Sequence, residues 1–365
     1  MKNSNILILT APFGNGHKMA ANSLAETFKQ EGFNVIVRDL FTESHPMLTS
    51  NISKTHNRLF SLGSTYSYFY YGIDKISSTR LINVYRMFGY HTLKKIIKEY
   101  QPQIIINTFP MLSAPEFMRK YQLGVPVINV VTDYCCHRLW INENFDRIYL
   151  ATDDLKEKLI KMHIPINKLE VTGIPIRPGF EEEIDVRKIA RKYQVNTDKK
   201  TILISAGAAG VSKGLDYVCT KLNTLKGVQI FLVCGNNLKL RNKIDNLGLN
   251  NVKTFGYIDE IHELYRLATI MITKPGGITL SEAAAAKLPL ILYKPIPGQE
   301  KENADYFVHK GAAIIAHTSD EAYEHVIRVL NDEDLLGQMR KSMSNFYRSS
   351  SSQNIVQDVL SRYTM

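Results

Sequence analysis

The chain has 365 residues, of which 44% are hydrophobic and 22% are charged, a composition typical of a globular protein with about two domains. This composition excludes a mainly disordered, collagen-like or disulfide-stapled chain. Lys and Arg number 45 against 35 Asp and Glu, so the formal net charge is +10. A basic balance favours an anionic partner: nucleic acid, an acidic membrane or a phosphorylated ligand.

Cysteine usage and hydrophobic run lengths give expectations about the compartment. The four cysteines show neither zinc-site spacing nor a CxxC motif, so we expect reduced thiols and a cytosolic protein. The first residues contain too few apolar side chains before Pro12 to form a signal-peptide core. No run reaches the roughly 20 apolar residues of a membrane span, so we expect any membrane contact to be peripheral.

The first half of the chain predicts a parallel α/β sheet. A buried-strand pattern at 6–9 is followed by a Gly-rich turn at 11–17, helix-forming residues at 18–30 and a second strand pattern at 34–39. This order is a βαβ unit, which opens a doubly wound sheet. Further strand patterns lie at 103–107, 125–132 and 147–151. Ligands gather at the carboxyl ends of such strands, where this half places His17 and Asp133.

A Pro- and Gly-rich segment at 172–180, TGIPIRPGF, predicts a domain linker. Beyond it the strand–turn–helix pattern starts again, with strand patterns at 201–205, 228–234, 252–255, 270–273, 290–293 and 313–316. We therefore predict a first α/β domain at 1–175 and a second at 176–335. We expect the helices at 336–365 to pack back on the first domain.

Three Gly-rich turns at strand–helix junctions carry the strongest chemical signal. Glycine allows close backbone approach, and the helix that follows presents free N–H groups and the positive end of its dipole, so each turn suits a phosphate. None matches a P-loop or a full dinucleotide fingerprint, and a tight turn without a ligand remains the alternative for each one alone. The glycines are Gly14 and Gly16, Gly207 and Gly210, and Gly276 and Gly277.

Three polar side chains lie near the third turn. Glu282 follows Gly277 by five residues, where its carboxylate could accept two hydrogen bonds from a ribose diol or simply favour the helix dipole. Gln299 and Glu300 follow Pro297-Gly298 in a predicted loop, and an amide beside a carboxylate suits sugar hydroxyls.

His17 follows the first Gly-rich turn and should begin the helix. A neutral imidazole in this position could act as a general base, and the helix N-terminus should lower its pKa. A capping or phosphate-contacting histidine is the alternative.

The motifs, in this order, resemble one family over nearly the whole chain. They are FGNGH near the start, DLF at 39–41, HPMLTS at 45–50, NTFP at 107–110, TDY at 132–134 with Trp140 following, TGIPI at 172–176, SAGAAGVSKG at 205–214, TKPGGITLSEA at 273–283 and PGQEKENADYF at 297–307. The chain resembles the bacterial processive diacylglycerol β-glucosyltransferases, grouped with plant monogalactosyldiacylglycerol synthases in glycosyltransferase family 28. The resemblance implies a GT-B fold, in which two Rossmann-like doubly wound domains face a cleft.

The resemblance also implies roles for residues of this chain. Gly276 and Gly277 would approach the diphosphate of a UDP-sugar, Glu282 would hold the ribose, Gln299 and Glu300 would contact the hexose, and Gly256 and Tyr257 would lie near the uracil. Gly16 and His17 would approach the diphosphate and the acceptor hydroxyl from the other domain. The remaining predicted donor-binding residues are Gly14, Gly207, Thr279 and Asn303. Either His17 or Asp133 would be the base.

Residues 47–100 predict a lipid-facing segment. They hold eight Lys or Arg against Asp74 and Glu99, and ten aromatic residues. Basic residues attract anionic head groups, and aromatic side chains favour the membrane interface. A helical insertion with core aromatics is the alternative, and an RNA-binding patch fits less well. The acceptor and membrane residues that we predict are Tyr66, Tyr68, Phe69, Tyr70, Tyr71 and Trp140.

Together these inferences predict an inverting enzyme that transfers glucose from UDP-glucose to diacylglycerol, and possibly again to the product, at the cytoplasmic face of the membrane. We expect no cofactor and no nucleic-acid partner. We also expect no essential metal, because helix dipoles can neutralise the leaving diphosphate. The acidic run 332–334 is expected to be a solvated helix start. The alternatives are a UDP-galactose or UDP-N-acetylglucosamine transferase, a nucleotide-sugar sensor, and an NAD-dependent oxidoreductase.

Overall fold

The computed structural model describes residues 4–12, 16–44, 86–206 and 214–363, and the chain divides into two compact units. Unit 1 comprises Met1–Arg177, Pro297–Gln299 and Arg348–Met365, and unit 2 comprises Pro178–Ile296 and Glu300–Tyr347. The chain thus leaves unit 1 within the predicted linker and returns to it near the C-terminus.

Unit 1 is built on a parallel sheet whose described strands run in the order β2-β1-β3-β4-β5-β6. The strands are β1 (Asn5–Thr10), β2 (Asn34–Asp39), β3 (Ile104–Asn107), β4 (Val127–Val130), β5 (Arg147–Leu150) and β6 (Leu169–Val171). The described helices are α1 (Gly16–Gln30), α2 (Leu40–Ser44), α3 (Tyr90–Tyr100), α4 (Ser113–Tyr121), α5 (Asp153–Lys161) and the C-terminal helix α14 (Ser351–Tyr363).

Successive side chains of the buried strands of unit 1 point to opposite faces of the sheet and pack into two separate cores. Ile6 and Ile8 of β1 face a core shared with α1 and α14, whereas Leu7 and Leu9 face a core shared with α2 to α5. Strands covered on both faces read as continuous apolar runs, which is why the sequence pattern located them. The Ser23 hydroxyl of α1 lies 2.7 Å from both the Ile176 carbonyl and the Ser352 hydroxyl, which joins α14 to α1.

Arg147 of β5 links α14 to strands β5 and β6 of the sheet of unit 1. Its side chain is 4% exposed and its Nε lies 2.8 Å from Asp358 Oδ2 of α14, while its Nη2 lies 2.7 Å from Glu170. The Tyr149 hydroxyl also donates to Asp358 Oδ2 at 2.8 Å. The buried guanidinium therefore holds one carboxylate of the C-terminal helix and one of β6.

We expect Arg147→Met to lower the free energy of unfolding by about 3 kcal/mol, because it removes one partner of a buried ion pair. Urea unfolding followed by circular dichroism measures this change. Arg362→Met is the matched control: Arg362 contacts the same Asp358 but is 46% exposed, so its loss should cost less than about 1 kcal/mol. Equal losses in the two variants would show that burial of Arg147 contributes nothing.

Unit 2 is built on a second parallel sheet, with described strands in the order β12-β11-β10-β7-β8-β9. The strands are β7 (Lys200–Ser205), β8 (Val228–Val233), β9 (Val252–Phe255), β10 (Ile270–Thr273), β11 (Leu290–Tyr293) and β12 (Ala313–Ala316). The described helices are α6 (Val186–Lys192), α7 (Leu215–Leu222), α8 (Leu238–Asp245), α9 (Ile261–Leu267), α10 (Gly277–Ala285), α11 (Gln299–His309), α12 (Ser319–Asn331) and α13 (Glu333–Ser344).

The prediction of two doubly wound α/β domains is confirmed by these sheets. The strand order changes direction between β1 and β3 in unit 1 and between β7 and β10 in unit 2, and such switch points are where α/β sheets bind ligands. The predicted helices at 336–365 divide between the units, since α13 lies in unit 2 and α14 in unit 1.

Two local predictions have clear outcomes. Gln299 and Glu300 were predicted in a loop, but they begin helix α11, which starts directly after the Pro297-Gly298 turn. The acidic run 332–334 is a helix start as predicted, with Asp332 accepting a hydrogen bond from the Leu335 N–H. Among the described residues, every helix is too short or too polar to span a bilayer.

Candidate active site

His17 stands at the switch point of the sheet of unit 1. Helix α1 begins at Gly16, just after β1, so His17 lies in the first turn of the helix beside the residues that follow β3. Its ring packs edge-on against Phe109, with centroids 4.9 Å apart, and lies 6.0 Å from the ring of Trp140. The side chain is partly buried, with an aromatic wall on one side.

The hydrogen bonds of His17 determine which ring nitrogen carries the proton. Nδ1 lies 3.0 Å from the Thr108 carbonyl oxygen and 2.7 Å from Thr132 Oγ1. A carbonyl oxygen can only accept, so Nδ1 is the protonated nitrogen. Nε2 of the neutral ring then has a free lone pair, which is the form that a general base requires.

Burial lowers the pKa of His17 to about 4, and the charge of His137 lowers it further, while the hydrogen bond to Thr108 acts in the opposite direction. The sequence analysis expected a lowered pKa from the helix N-terminus, and the structure adds burial of the ring, which lowers the pKa. The imidazole is therefore neutral across the physiological range of pH.

The other predicted residues of unit 1 have different surroundings. Asp133 directly follows Thr132 and is 1% exposed, and its role as the base stays a prediction. Trp140 is fully buried in the core shared with α2 to α5, and its ring lies beside that of His17; its assignment as an acceptor or membrane residue stays a prediction. The predicted residues that lie outside the described residues are Gly14, Gly207, Tyr66, Tyr68, Phe69, Tyr70 and Tyr71.

The third Gly-rich turn lies at the carboxyl end of β10, at the switch point of unit 2. Gly276 is the N-cap of α10, and no side chain caps this helix. A Cβ on Gly276 would meet nothing closer than Thr279 Oγ1 at 3.9 Å, and its φ of −75° suits any residue. Neither packing nor conformation requires glycine there, and the N–H groups at this uncapped helix start suit an anion.

Two buried polar side chains support this turn. Glu282 of α10 is 2% exposed, and Asn303 of α11 is fully buried. The Asn303 amide donates to the Pro275 carbonyl at 3.2 Å, which fixes the turn from behind. Asn303, predicted to bind the donor, therefore holds the backbone that would bind it.

The remaining predicted residues of unit 2 either follow a strand or lie in the first turn of a helix, as Thr279 does in α10 and Glu300 in α11. Gly256 and Tyr257 follow β9, and the side chain of Tyr257 is 50% exposed. Glu300 accepts a hydrogen bond from the Ile296 N–H at 3.0 Å, and burial raises the pKa of its carboxyl, an effect that nearby Lys274 opposes. The neighbouring Gln299 is grouped with unit 1.

The sequence analysis missed two lysines at the carboxyl edge of this sheet. Lys274 directly follows β10 and precedes the Gly-rich turn. Lys294 directly follows β11 and has a φ of 48°, and its Nζ would lie 3.3 Å from a Cβ on Gly214, the N-cap of α7. A lysine directly after a buried strand is the signal that would have found both.

Comparison with known proteins places the chain in a family. A model described as monogalactosyldiacylglycerol (MGDG) synthase matches residues 17–176, and one described as glycosyl transferases group 1 matches residues 185–348. A processive diacylglycerol beta-glucosyltransferase of Bacillus licheniformis is 45% identical over 98% of this chain and 95% of its own. The namesake from Bacillus subtilis is 44% identical over 100% of this chain and 96% of its own. The chain belongs to the processive diacylglycerol β-glucosyltransferase family.

Solved structures agree with the fold of this family member. MurG of Acinetobacter baumannii has a TM-score of 0.66 at 15% identity, covering 98% of this chain and 99% of its own. The MnaA–UDP structure from S. aureus also has a TM-score of 0.66 at 15% identity, covering 98% of this chain and 96% of its own. The predicted GT-B class of this glucosyltransferase family member is thereby confirmed.

Proposed function

We propose that this protein is an inverting glycosyltransferase that moves glucose from UDP-glucose to the hydroxyl of diacylglycerol, and again to the glucosyl product. The observation that carries the proposal is the position of His17 Nδ1, 3.0 Å from the Thr108 carbonyl oxygen, from which we infer that Nε2 is left as an acceptor. Names of relatives at 45% and 44% identity over nearly the whole chain support the donor sugar and the acceptor.

In the proposed reaction, His17 Nε2 takes the proton from the acceptor hydroxyl as its oxygen attacks C1 of glucose. The new C1–O bond forms while the bond from C1 to the β-phosphate oxygen breaks, and UDP leaves with the electron pair. Attack from the face opposite the leaving group inverts the configuration at C1. A neutral imidazole suits this step because it can accept the proton at physiological pH.

Unit 2 would supply the donor-binding groups. The uncapped N–H groups of α10 and the charges of Lys274 and Lys294 would stabilise the negative charge that develops on the leaving diphosphate, without an essential metal. Glu282 would accept hydrogen bonds from the ribose hydroxyls, and Glu300 would contact the hexose together with Gln299, which belongs to unit 1.

We further propose that the protein works as a peripheral protein on the cytoplasmic face of the membrane. A diacylglycerol acceptor resides in a bilayer, so the enzyme must reach a lipid surface. The net charge of +10 supports attraction to anionic lipids, at about 1 kcal/mol per Lys or Arg near the surface.

The test is UDP release by the purified protein with diacylglycerol micelles and a panel of UDP-sugars. We expect release with UDP-glucose that depends on diacylglycerol, with a glucosyl lipid as product, and the same rate with a metal chelator. A higher rate with UDP-galactose or UDP-N-acetylglucosamine would show that this sugar nucleotide, and not UDP-glucose, is the donor. UDP binding without turnover of any donor would favour a nucleotide-sugar sensor.

A further inference from the structure

Three phenylalanine rings of unit 1 contact one another in succession, starting beside His17. The ring of Phe109 lies 4.9 Å from that of His17, Phe41 lies 5.3 Å from Phe109, and Phe88 lies 4.6 Å from Phe41. All three phenylalanines are partly exposed. We call Phe109, Phe41 and Phe88 the aromatic file.

The backbone holds the outer end of the aromatic file in place. Gly89 follows Phe88 with a φ of 77°, a conformation that favours glycine. A Cβ on Gly89 would approach Ser44 Oγ at 3.0 Å and the Leu40 side chain at 3.1 Å. Residues 88–89 thus pack directly against α2, which carries Phe41. This backbone packing fixes the contact between Phe41 and Phe88.

Exposed apolar groups and a lysine lie near Met87 and Tyr90, the residues on either side of Phe88-Gly89 in the sequence. Met87 is 54% exposed and Tyr121 is 47% exposed. Lys120 Nζ lies 5.7 Å from the ring centroid of Tyr90 and 5.6 Å from that of Tyr121. Cations seated on exposed aromatic rings are typical of a surface that meets anionic lipid head groups.

Three adjoining, partly exposed rings offer an apolar surface that suits a hydrocarbon chain. The inner end of the file lies at the proposed base, and the outer end lies at a basic, apolar surface. We propose that the aromatic file binds the acyl chains of the lipid acceptor, so that its hydroxyl reaches His17 while its tails point toward the membrane. This inference rests on the proposed function and names the residues that would recognise its acceptor.

The single tryptophan of the chain gives a binding test that is independent of turnover. Trp140 lies 6.0 Å from His17, at the inner end of the file. Diacylglycerols brominated on the acyl chain would be titrated in vesicles of phosphatidylglycerol and phosphatidylcholine, and Trp140 fluorescence recorded. We expect bromines near the ester groups to quench more strongly than bromines near the chain ends.

Variants of Phe88 test the file itself. We expect Phe88→Asp to raise the diacylglycerol concentration for half-maximal quenching, and the KM for long-chain diacylglycerol, about tenfold. Phe88→Leu should keep both values close to those of the wild type, because an apolar side chain suffices. The KM for UDP-glucose should stay unchanged in both variants, and thermal unfolding should confirm that each is folded.

The control is Leu238→Asp, which changes an apolar side chain that is 66% exposed in unit 2 and should alter neither readout. The inference would be overturned if quenching did not depend on the position of the bromine. It would also be overturned if the Phe88→Asp variant bound and turned over long-chain acceptors normally. Normal quenching without glucosyl transfer to any acceptor would leave the file intact and refute the proposed function instead.

Discussion

Replacing His17 with alanine is expected to lower kcat at least about 100-fold while leaving UDP affinity nearly unchanged. The variant removes the only atom that we propose to accept the acceptor proton, whereas the groups proposed to hold UDP belong to unit 2. Steady-state kinetics and calorimetric titration with UDP measure the two quantities. Added imidazole should restore part of the lost rate.

The pH profile provides a second readout of the same residue. Because burial lowers the pKa of His17 to about 4, kcat/KM should stay high as the pH falls below 6.5 and decline only near pH 4 to 5. Below pH 6.5 the unfolded chain binds a proton that folded His17 does not, so stability should also fall over this range.

Matched variants separate catalysis from folding. His309→Ala, an exposed histidine at the end of α11, should leave kcat unchanged. Thr132→Val removes one hydroxyl near Nδ1 and should lower kcat roughly 3- to 10-fold, with recovery in Thr132→Ser, since one neutral hydrogen bond contributes about 0.5–1.5 kcal/mol. Near-normal turnover by His17→Ala would remove His17 from the base role and leave Asp133 as the candidate.

Replacing Glu282 with alanine is expected to weaken UDP binding about 100-fold, because each hydrogen bond to a charged group contributes about 1.5–3 kcal/mol. Glu282 is 2% exposed on α10, beside the turn that we propose to bind the diphosphate. Calorimetric titration with UDP measures the change, and kcat at saturating donor should fall much less.

A nucleotide lacking the 2′-hydroxyl makes the Glu282 test specific. Wild-type protein should bind 2′-deoxy-UDP more weakly than UDP, whereas Glu282→Ala should bind the two alike, because the contact is already gone. Glu324→Ala, an exposed carboxylate on α12, is the control and should bind UDP normally. If Glu282→Ala still discriminates between the two nucleotides, Glu282 does not hold the ribose.

The fold was largely predictable because its strands are buried on both faces. Runs such as Ile270–Thr273 and Leu290–Tyr293 are short and continuously apolar, and they were located with the bounds that the structure has. The start of α11 was missed because Pro297-Gly298 signals a turn, while Gln299 and Glu300 fit a loop as well as a first helical turn. Local sequence does not decide between these two states.

The geometry of the candidate site was predictable where it involves one strand and the turn after it, as at Gly276 and Gly277 between β10 and α10. It was not predictable where it depends on contacts between distant residues. Thr132 meets His17 across 115 positions, and no periodicity reports such a pair. The burial of Trp140 was missed for the same reason, since an aromatic side chain suits a core as well as a lipid interface.

The division of the chain has a consequence during synthesis. Unit 2 lies between two pieces of unit 1, so ribosomes complete unit 2 before they translate α14. Until then Leu24 and Phe28 of α1 lack the apolar partners that Ile355 and Val359 provide. During synthesis, part of this hydrophobic face therefore stays uncovered until the C-terminal helix has been translated, and exposed apolar surface of this kind favours aggregation.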